Sequence, residues 1–398
     1  MSSSRKPQPE TLWARHNEQW RKPAQIVSQW REAAQTSPEL LEMRVRGAWW
    51  QILEKTGATL LITREYEHLI IAVSASKGRP RVSYHPLPHP SGLTVDRKRA
   101  VVYVASTRNP NQVYELRPAI GMQDRLDCAS SPVDDRPLIP LRSWFLPGCL
   151  YIHDLALVGG RLHANAVGQN AIVRLSDDAD YQRVWWPRCI ERGGQPLFGR
   201  NHLQLNSIAA GANLRASYFS ASCDQVGARR PGHRNFAVDR RGVIFSGRTR
   251  EPVATGLTRP HSARLHAGQV WVNNSGYGEV GFAEDGKFAV VAKLPGWTRG
   301  LCFCGPVMFV GTSRVIPRFR QYAPGLDAEA SQCAVHALET TTGRVLGSLS
   351  WPAGNQIFAI DWISCRDSLG FPFRVTGTKS PVRDKNLFYS FEVNNRST

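Results

Sequence analysis

The chain has 398 residues, 42% of them hydrophobic, and carries 50 Lys and Arg against 32 Asp and Glu, a formal charge of +18. No apolar run is long enough for a transmembrane helix. MSSSRKPQPE at the start lacks the apolar core of a secretory signal, so a cytoplasmic location and no membrane partner are expected. The basic surplus favours anionic partners through long-range attraction. It is spread along the chain without a zinc finger, RNP motif or basic helix, which argues against nucleic acid.

Residues 1–36 read as a polar arm with weak helical periodicity around Ala24–Ala34. Ser37-Pro38-Glu39-Leu40 then offers a helix start. Leu41, Val45, Trp49 and Ile52 follow at helical spacing, and Gly57 offers a stop, predicting one amphipathic helix over 38–56. The expected organisation is an arm and helix over 1–57 and one β-domain over 58–398. Trp13, Trp20, Trp30, Trp49 and Trp50 are read as packing residues of the N-terminal part.

From Ala58 the texture is short apolar runs (TLLITREY, HLIIAVSA, VVYVAS, QVWVNN, FAVVAKL, VMFVGTS) between Gly, Asn, Asp and Pro turns. Such spacing suggests a sandwich, barrel or propeller. A degenerate repeat decides among them. An apolar strand preceded by a special polar residue begins at His89, Tyr151, Asn206, Pro260, Thr298 and Asn355. The pitch of roughly 50 residues fits four-stranded blades. The fold class is therefore all-β, a six-bladed β-propeller with a helical N-terminal extension. TLLITREY onward lacks a first strand, and NQIFAIDWI is a first strand without followers. The two ends should close the ring by completing one blade together.

The first strand of each blade lines the central channel, so the residues at its start converge on one mouth. Two residues before each apolar pair stand His153, Asn206, His261, Arg299 and Gln356; Ser91 takes that place in the first blade, with His89 two earlier. His202 lies upstream of Asn206. Converging neutral imidazoles suit zinc, iron or copper, making His153, His261, His202 and His89 the expected metal ligands. Asp154 is placed as a base or an orienting partner, Asn206 as a catalytic polar group, and Arg299 as the cation for a carboxylate or developing oxyanion. The alternatives are a polar catalytic or binding site without metal, and groups that hydrogen-bond one another and plug the channel.

The stretches HDLAL (153–157), HLQLNSIA (202–209), PHSARLHAGQVWVNNSGYGEVG (260–281) and PGWTRGLCF (295–303) resemble an uncharacterised bacterial family of propeller proteins, known only as a domain of unknown function, over roughly 45–365. That resemblance implies the fold and no particular reaction. Pro260-His261-Ser262 also resembles the zinc-binding blade start of the peptidylglycine amidating lyases, which implies axial histidines on zinc. The gluconolactonase-like propellers share the architecture, but their axial Glu, Asn and Asp set is not evident here.

The eight cysteines include no CxxC pair and read as free thiols. P-loop, GxSxG and HExxH motifs are absent; Gly276-Tyr277-Gly278 reads as a turn. Together these residues predict a metal-dependent, lyase- or hydrolase-like enzyme. It would act at the channel mouth on a small or peptidyl substrate with an anionic group. A non-catalytic protein-interaction scaffold is the alternative.

Overall fold

The computed structural model describes residues 35–107, 111–127, 131–176, 180–229, 231–233, 236–376 and 381–393, besides 33 and 178. The polar arm, with Trp13, Trp20 and Trp30, lies outside the described residues apart from its last few. The first strands of the six blades are Pro90–Asp96, Ile152–Val158, Leu205–Ala209, Pro260–His266, Trp297–Cys304 and Ala359–Ser364. Each leads an antiparallel sheet, and consecutive first strands touch in cyclic order around an axis. The sequence reason is visible in the second strands: Val101–Ser106 and Val307–Ser313 are buried throughout. Runs buried on both faces are what packing between neighbouring blades requires.

The sixth blade draws on both ends of the chain. Ala359–Ser364 pairs with Ala58–Arg64, followed outward by Leu69–Ser76, Arg79–Pro86 and Phe373–Arg374. Leu60, Ile62, Ile71 and Ile360 from this sheet pack against Phe309 and Trp351 of the fifth blade in one fully buried cluster. Beyond it, the helix Pro381–Ser390 leads into Phe391–Val393, which extends the long strand Asn111–Met122 of the first blade.

The helix expected over 38–56 does not form as one piece. Pro38–Leu41 is a 3₁₀ turn, Arg44–Gly47 is a strand on the outer edge of the fifth blade, and only Trp49–Thr56 is α-helical. The open edge of Val345–Ser350 captures Arg44–Gly47, and pairing there satisfies backbone groups that a sheet edge leaves exposed. Gly47 permits the exit: its φ is +65°, and a Cβ would lie 2.6 Å from the Leu346 carbonyl oxygen. Val45 is accordingly 38% exposed, whereas Trp49 and Leu53 are buried, Trp49 meeting Phe309 edge-on at 5.9 Å. Gly57 ends the helix in the left-handed conformation, as its position suggested.

A belt of side-chain hydrogen bonds ties each blade to the next near the axis. Ser91 Oγ donates to the Ile152 carbonyl at 2.9 Å, Asn165 Nδ2 to Leu205 at 2.7 Å, and Asn206 Nδ2 to Pro260 at 2.9 Å. Ser275 Oγ donates to Thr298 at 2.6 Å, Ser313 Oγ to Ile357 at 3.1 Å, and Thr63 Oγ1 to Ser91 at 2.7 Å. Five of the acceptors are first-strand carbonyls and the sixth, that of Ile357, lies just before its strand, so each bond answers a buried polar group.

Candidate functional site

The start of each first strand is built alike. In the first five blades the pairing of first and second strands slips within a few residues of the strand's beginning: Pro90/Leu93, Ile152/Leu155, Leu205/Ser207, His261/Arg264 and Thr298/Leu301. Bulges of this kind bend a strand and re-aim its side chains. In four blades the residue just before the strand is left-handed without being glycine: His89 (φ 44°), Tyr151 (53°), Gln204 (50°) and Arg259 (55°). Such conformations cost of order 1–3 kcal/mol each and gather at functional sites.

Tyr151, Gln204 and Arg259 line one cavity together with His153, His261, Arg299, Gln356, Trp297, Phe358 and Glu65. Thus the residues at offsets i and i+2 face one mouth: Tyr151 and His153, Arg259 and His261, Trp297 and Arg299. The sequence reading found the i+2 positions and, in the first blade only, an i position, His89. Extending the i position to every blade would have found Tyr151, Gln204, Arg259 and Trp297. Glu65, Tyr66, Arg314 and Phe319 come from turns and an insertion outside the repeat, and no periodic signal marks them.

Burial sets the electrostatics. It holds the His153 and His261 imidazoles well below the ordinary histidine range, and the nearby Arg299 charge pushes both further down. His153 also contributes to the depression of His261, which puts the two rings in each other's field. His261 Nδ1 lies 2.8 Å from the Arg259 carbonyl oxygen and 3.0 Å from Ser275 Oγ. A carbonyl can only accept, so the proton sits on Nδ1 and the Nε2 lone pair is left available. Burial brings Arg299 down to about 10, with Glu65 opposing the shift. Its guanidinium carbon stands 3.2 Å from the centre of the Phe358 ring, and among the described residues it makes no hydrogen bond. His153 Nδ1, Asn206 Oδ1, Trp297 Nε1 and Gln356 Oε1 are buried without a hydrogen-bond partner among those residues. Unused hydrogen-bonding capacity of this density is what a ligand site holds in reserve.

The family described as Domain of unknown function (DUF4915) matches residues 47–368. The chain belongs to this family. A search of curated proteins returns no match to the sequence. Among solved structures, the DUF4915 chain is similar to a chain of a nidogen/laminin complex at 10% identity, covering 77% of this chain and 98% of that one with a TM-score of 0.49. A gluconolactonase, XC5397 from Xanthomonas campestris, is 14% identical, with 75% and 86% covered and a TM-score of 0.42. Virginiamycin B lyase from Staphylococcus aureus is 11% identical, with 78% and 99% covered and a TM-score of 0.36.

The DUF4915 mouth unites His153, His261 and Arg299 but not every residue expected there. His89 is not part of the cavity lining; its Nδ1 lies 3.2 Å from Glu65 Oε1, so it stands behind that carboxylate. His202 is also outside the lining, its backbone N–H donating to Asn170 Oδ1 at 2.8 Å. The upstream offset of His202 places it in the second-to-third blade connection instead of on the strand. Asp154 is not placed as a base or as a partner of His153. It faces the other way on the strand, accepts from Arg264 at 2.8 and 3.2 Å and from the Ile208 N–H at 3.0 Å, and is 3% exposed. Asn206 spends its amide hydrogens on Ser222 and Pro260, and its side chain is the polar neighbour of the His153 imidazole. It is not part of the cavity lining. The Pro-His-Ser spelling has a local cause too: Ser262 is a left-handed bulge residue whose Oγ accepts from the Gly300 N–H at 2.8 Å.

Among the described residues, no three His, Cys, Asp or Glu side chains come together in an arrangement that could hold a metal ion. Among the described residues no cysteine lines the mouth, and burial pushes Cys333 and Cys189 up to about 12 and Cys223 to about 11.

Proposed function

We propose that this DUF4915 protein is an enzyme whose active site is the channel mouth and whose substrate is a small organic anion. The observation that supports this reading is the pairing of an available cation with an available base. Arg299 offers a guanidinium without a hydrogen-bond partner among the described residues, in the same cavity as the free Nε2 of neutral His261. A carboxylate on Arg299 offsets the charge that depresses His261, so substrate binding itself raises the basicity of Nε2. His261 then takes a proton from substrate or from water, and Arg299 stabilises the negative charge that develops. This is lyase- or hydrolase-like chemistry, with the neutral His153 imidazole beside it.

The test is a set of small carboxylates and phosphates measured by thermal shift and calorimetry on the full chain. At least one is expected to stabilise the wild type and to lose that effect in Arg299→Ala. If none stabilises it, the active-site reading is wrong and an interaction scaffold takes its place.

A second reading is favoured by one detail of His261: a ring nitrogen tied to a backbone carbonyl is how metal-ligating imidazoles are commonly oriented. His153 and His261 would hold a zinc, iron or copper ion as two of its ligands. The neighbouring Arg259 and Arg299 charges weigh against a cation there, which ranks this reading second. Metal analysis of untagged protein tests it: metal near one equivalent, lost in His261→Ala, supports it, and metal-free active protein removes it.

We further propose that the blade shared by Ala58–Arg64 and Ala359–Ser364 closes the ring that holds the site. Deleting 355–398 then unfolds the whole chain, and a truncated monomer with an unchanged melting temperature would refute the closure.

A further inference from the structure

The cavity combines its charge with a concentration of aromatic rings that a minimal anion would not use. Trp297, Phe319 and Tyr66 form one contiguous wall. Trp297 meets Phe319 edge-on, with centroids 5.2 Å apart and an 81° interplanar angle, and Phe319 stacks on Tyr66 at 6.2 Å and 14°. His261 joins this wall through Trp297 at 6.0 Å. A second run consists of Tyr151 against His153 at 4.6 Å and His153 against Phe358 at 5.5 Å, with Arg299 seated on the Phe358 face. All seven side chains line the same cavity as Arg299. The site therefore presents ring faces and ring edges next to its cation and its base.

Building on the proposed active site, we infer that its substrate class is planar, ring-bearing carboxylates: an aromatic or heteroaromatic system whose acid group reaches Arg299 while its ring lies among Trp297, Phe319 and Tyr66. Ring quadrupoles favour offset-stacked and edge-to-face neighbours, and each such contact corresponds to roughly two- to tenfold in affinity beyond the area it buries. A saturated ring of the same charge and similar size buries comparable apolar area and forgoes that part. Among the described residues the one carboxylate on the cavity wall, Glu65, is engaged by the Thr107 hydroxyl at 2.8 Å and by His89, which ties it to the wall and away from an incoming acid.

The experiment compares 2-naphthoate, decahydro-2-naphthoate and acetate by isothermal titration on the full chain and on Phe319→Leu and Arg299→Ala, with melting temperatures confirming that each variant is folded. The expected result is 2-naphthoate binding at least about fivefold tighter than its saturated analogue. Phe319→Leu should shrink that ratio while keeping carboxylate binding, and Arg299→Ala should weaken both naphthoates. Equal or tighter binding of the decahydro compound overturns the aromatic preference alone and leaves the anion site standing. An unchanged ratio in Phe319→Leu also overturns it, because the wall would then not be the reader. If no carboxylate binds the wild type, this inference and the proposed active site fall together.

Discussion

His261 Nδ1 and the Arg259 carbonyl oxygen, two residues apart in sequence, face each other at 2.8 Å across a backbone that Arg259 carries through the left-handed region. That contact fixes the tautomer of the ring and leaves its Nε2 as the acceptor. Replacing His261 by Gln should lower turnover of a recognised anion by about 10²- to 10⁴-fold, the usual weight of a general base. Affinity and melting temperature should change little. Steady-state kinetics beside a thermal melt would check this; a variant that turns over normally would show that His261 holds the wall and moves no proton.

Anion binding should respond to alkali and not to mild acid. Burial and the Arg299 charge keep His153 and His261 neutral as the pH drops below 7, so neither adds a positive charge there. Arg299 titrates near 10, its charge present below that value and lost above it. Affinity measured by titration should stay flat from pH 8 to 6 and decline as the pH passes about 10. A steep gain on acidification from pH 7.5 to 6 would mean that an imidazole, not Arg299, carries the anion.

The Asp154–Arg264 pair belongs to stability. The Asp154 side chain is 4% exposed and that of Arg264 20%. Removing one partner strands the other charge in a poor solvent. Asp154→Ala should cost about 3–5 kcal/mol in urea unfolding, and replacing both by apolar residues should cost far less. Loss of anion binding in a folded Asp154→Asn protein would instead assign Asp154 to the site.

His336 makes an acid-sensitivity test away from the mouth. It is 5% exposed, bonds Thr312 Oγ1 at 3.1 Å, and burial lowers it to about 4. The unfolded chain takes up a proton near 6.5 and the folded one only near 4. The stability His336 contributes is therefore complete above pH 6.5 and is lost as the pH falls toward 4, by about 3 kcal/mol. The wild type should lose that much more than His336→Gln over this interval in denaturant titrations. Parallel curves would mean that the folded state protonates this ring freely.

The fold was largely readable because each blade repeats one rule: a short buried strand, a turn, another strand. His153, His261 and Arg299 were legible for the same reason, since a repeat puts equal offsets in equal places. Asp154 was misread because adjacent residues on a strand point to different sides, and only its partner two blades on, Arg264, reveals where its carboxylate goes. His202 was misread because its offset belongs to a connection. The N-terminal helix was misread because helical spacing in Leu41 and Val45 is silent about a free sheet edge nearby, and that edge won. Tyr66 and Phe319 lie on parts of the chain that follow no repeat, so only three-dimensional proximity brings them to Arg299.

The left-handed residues before the strands have a consequence for how this mouth can be altered by engineering. Side-chain identity at Tyr151 is separable from the scaffold, because the belt that joins the blades is donated from other positions, such as Ser91, Asn165 and Ser275, whereas Arg259 bonds Gln204 at 2.8 Å and the Pro231 carbonyl at 3.1 Å. Chain length there is not separable. One inserted or deleted residue beside a bulge shifts every following side chain to the opposite face, turning cavity groups into the core and core groups into the cavity. Libraries built on this ring should therefore tolerate substitution at the mouth and reject single-residue insertions and deletions, so that new specificities are reached by exchanging residues in a fixed frame.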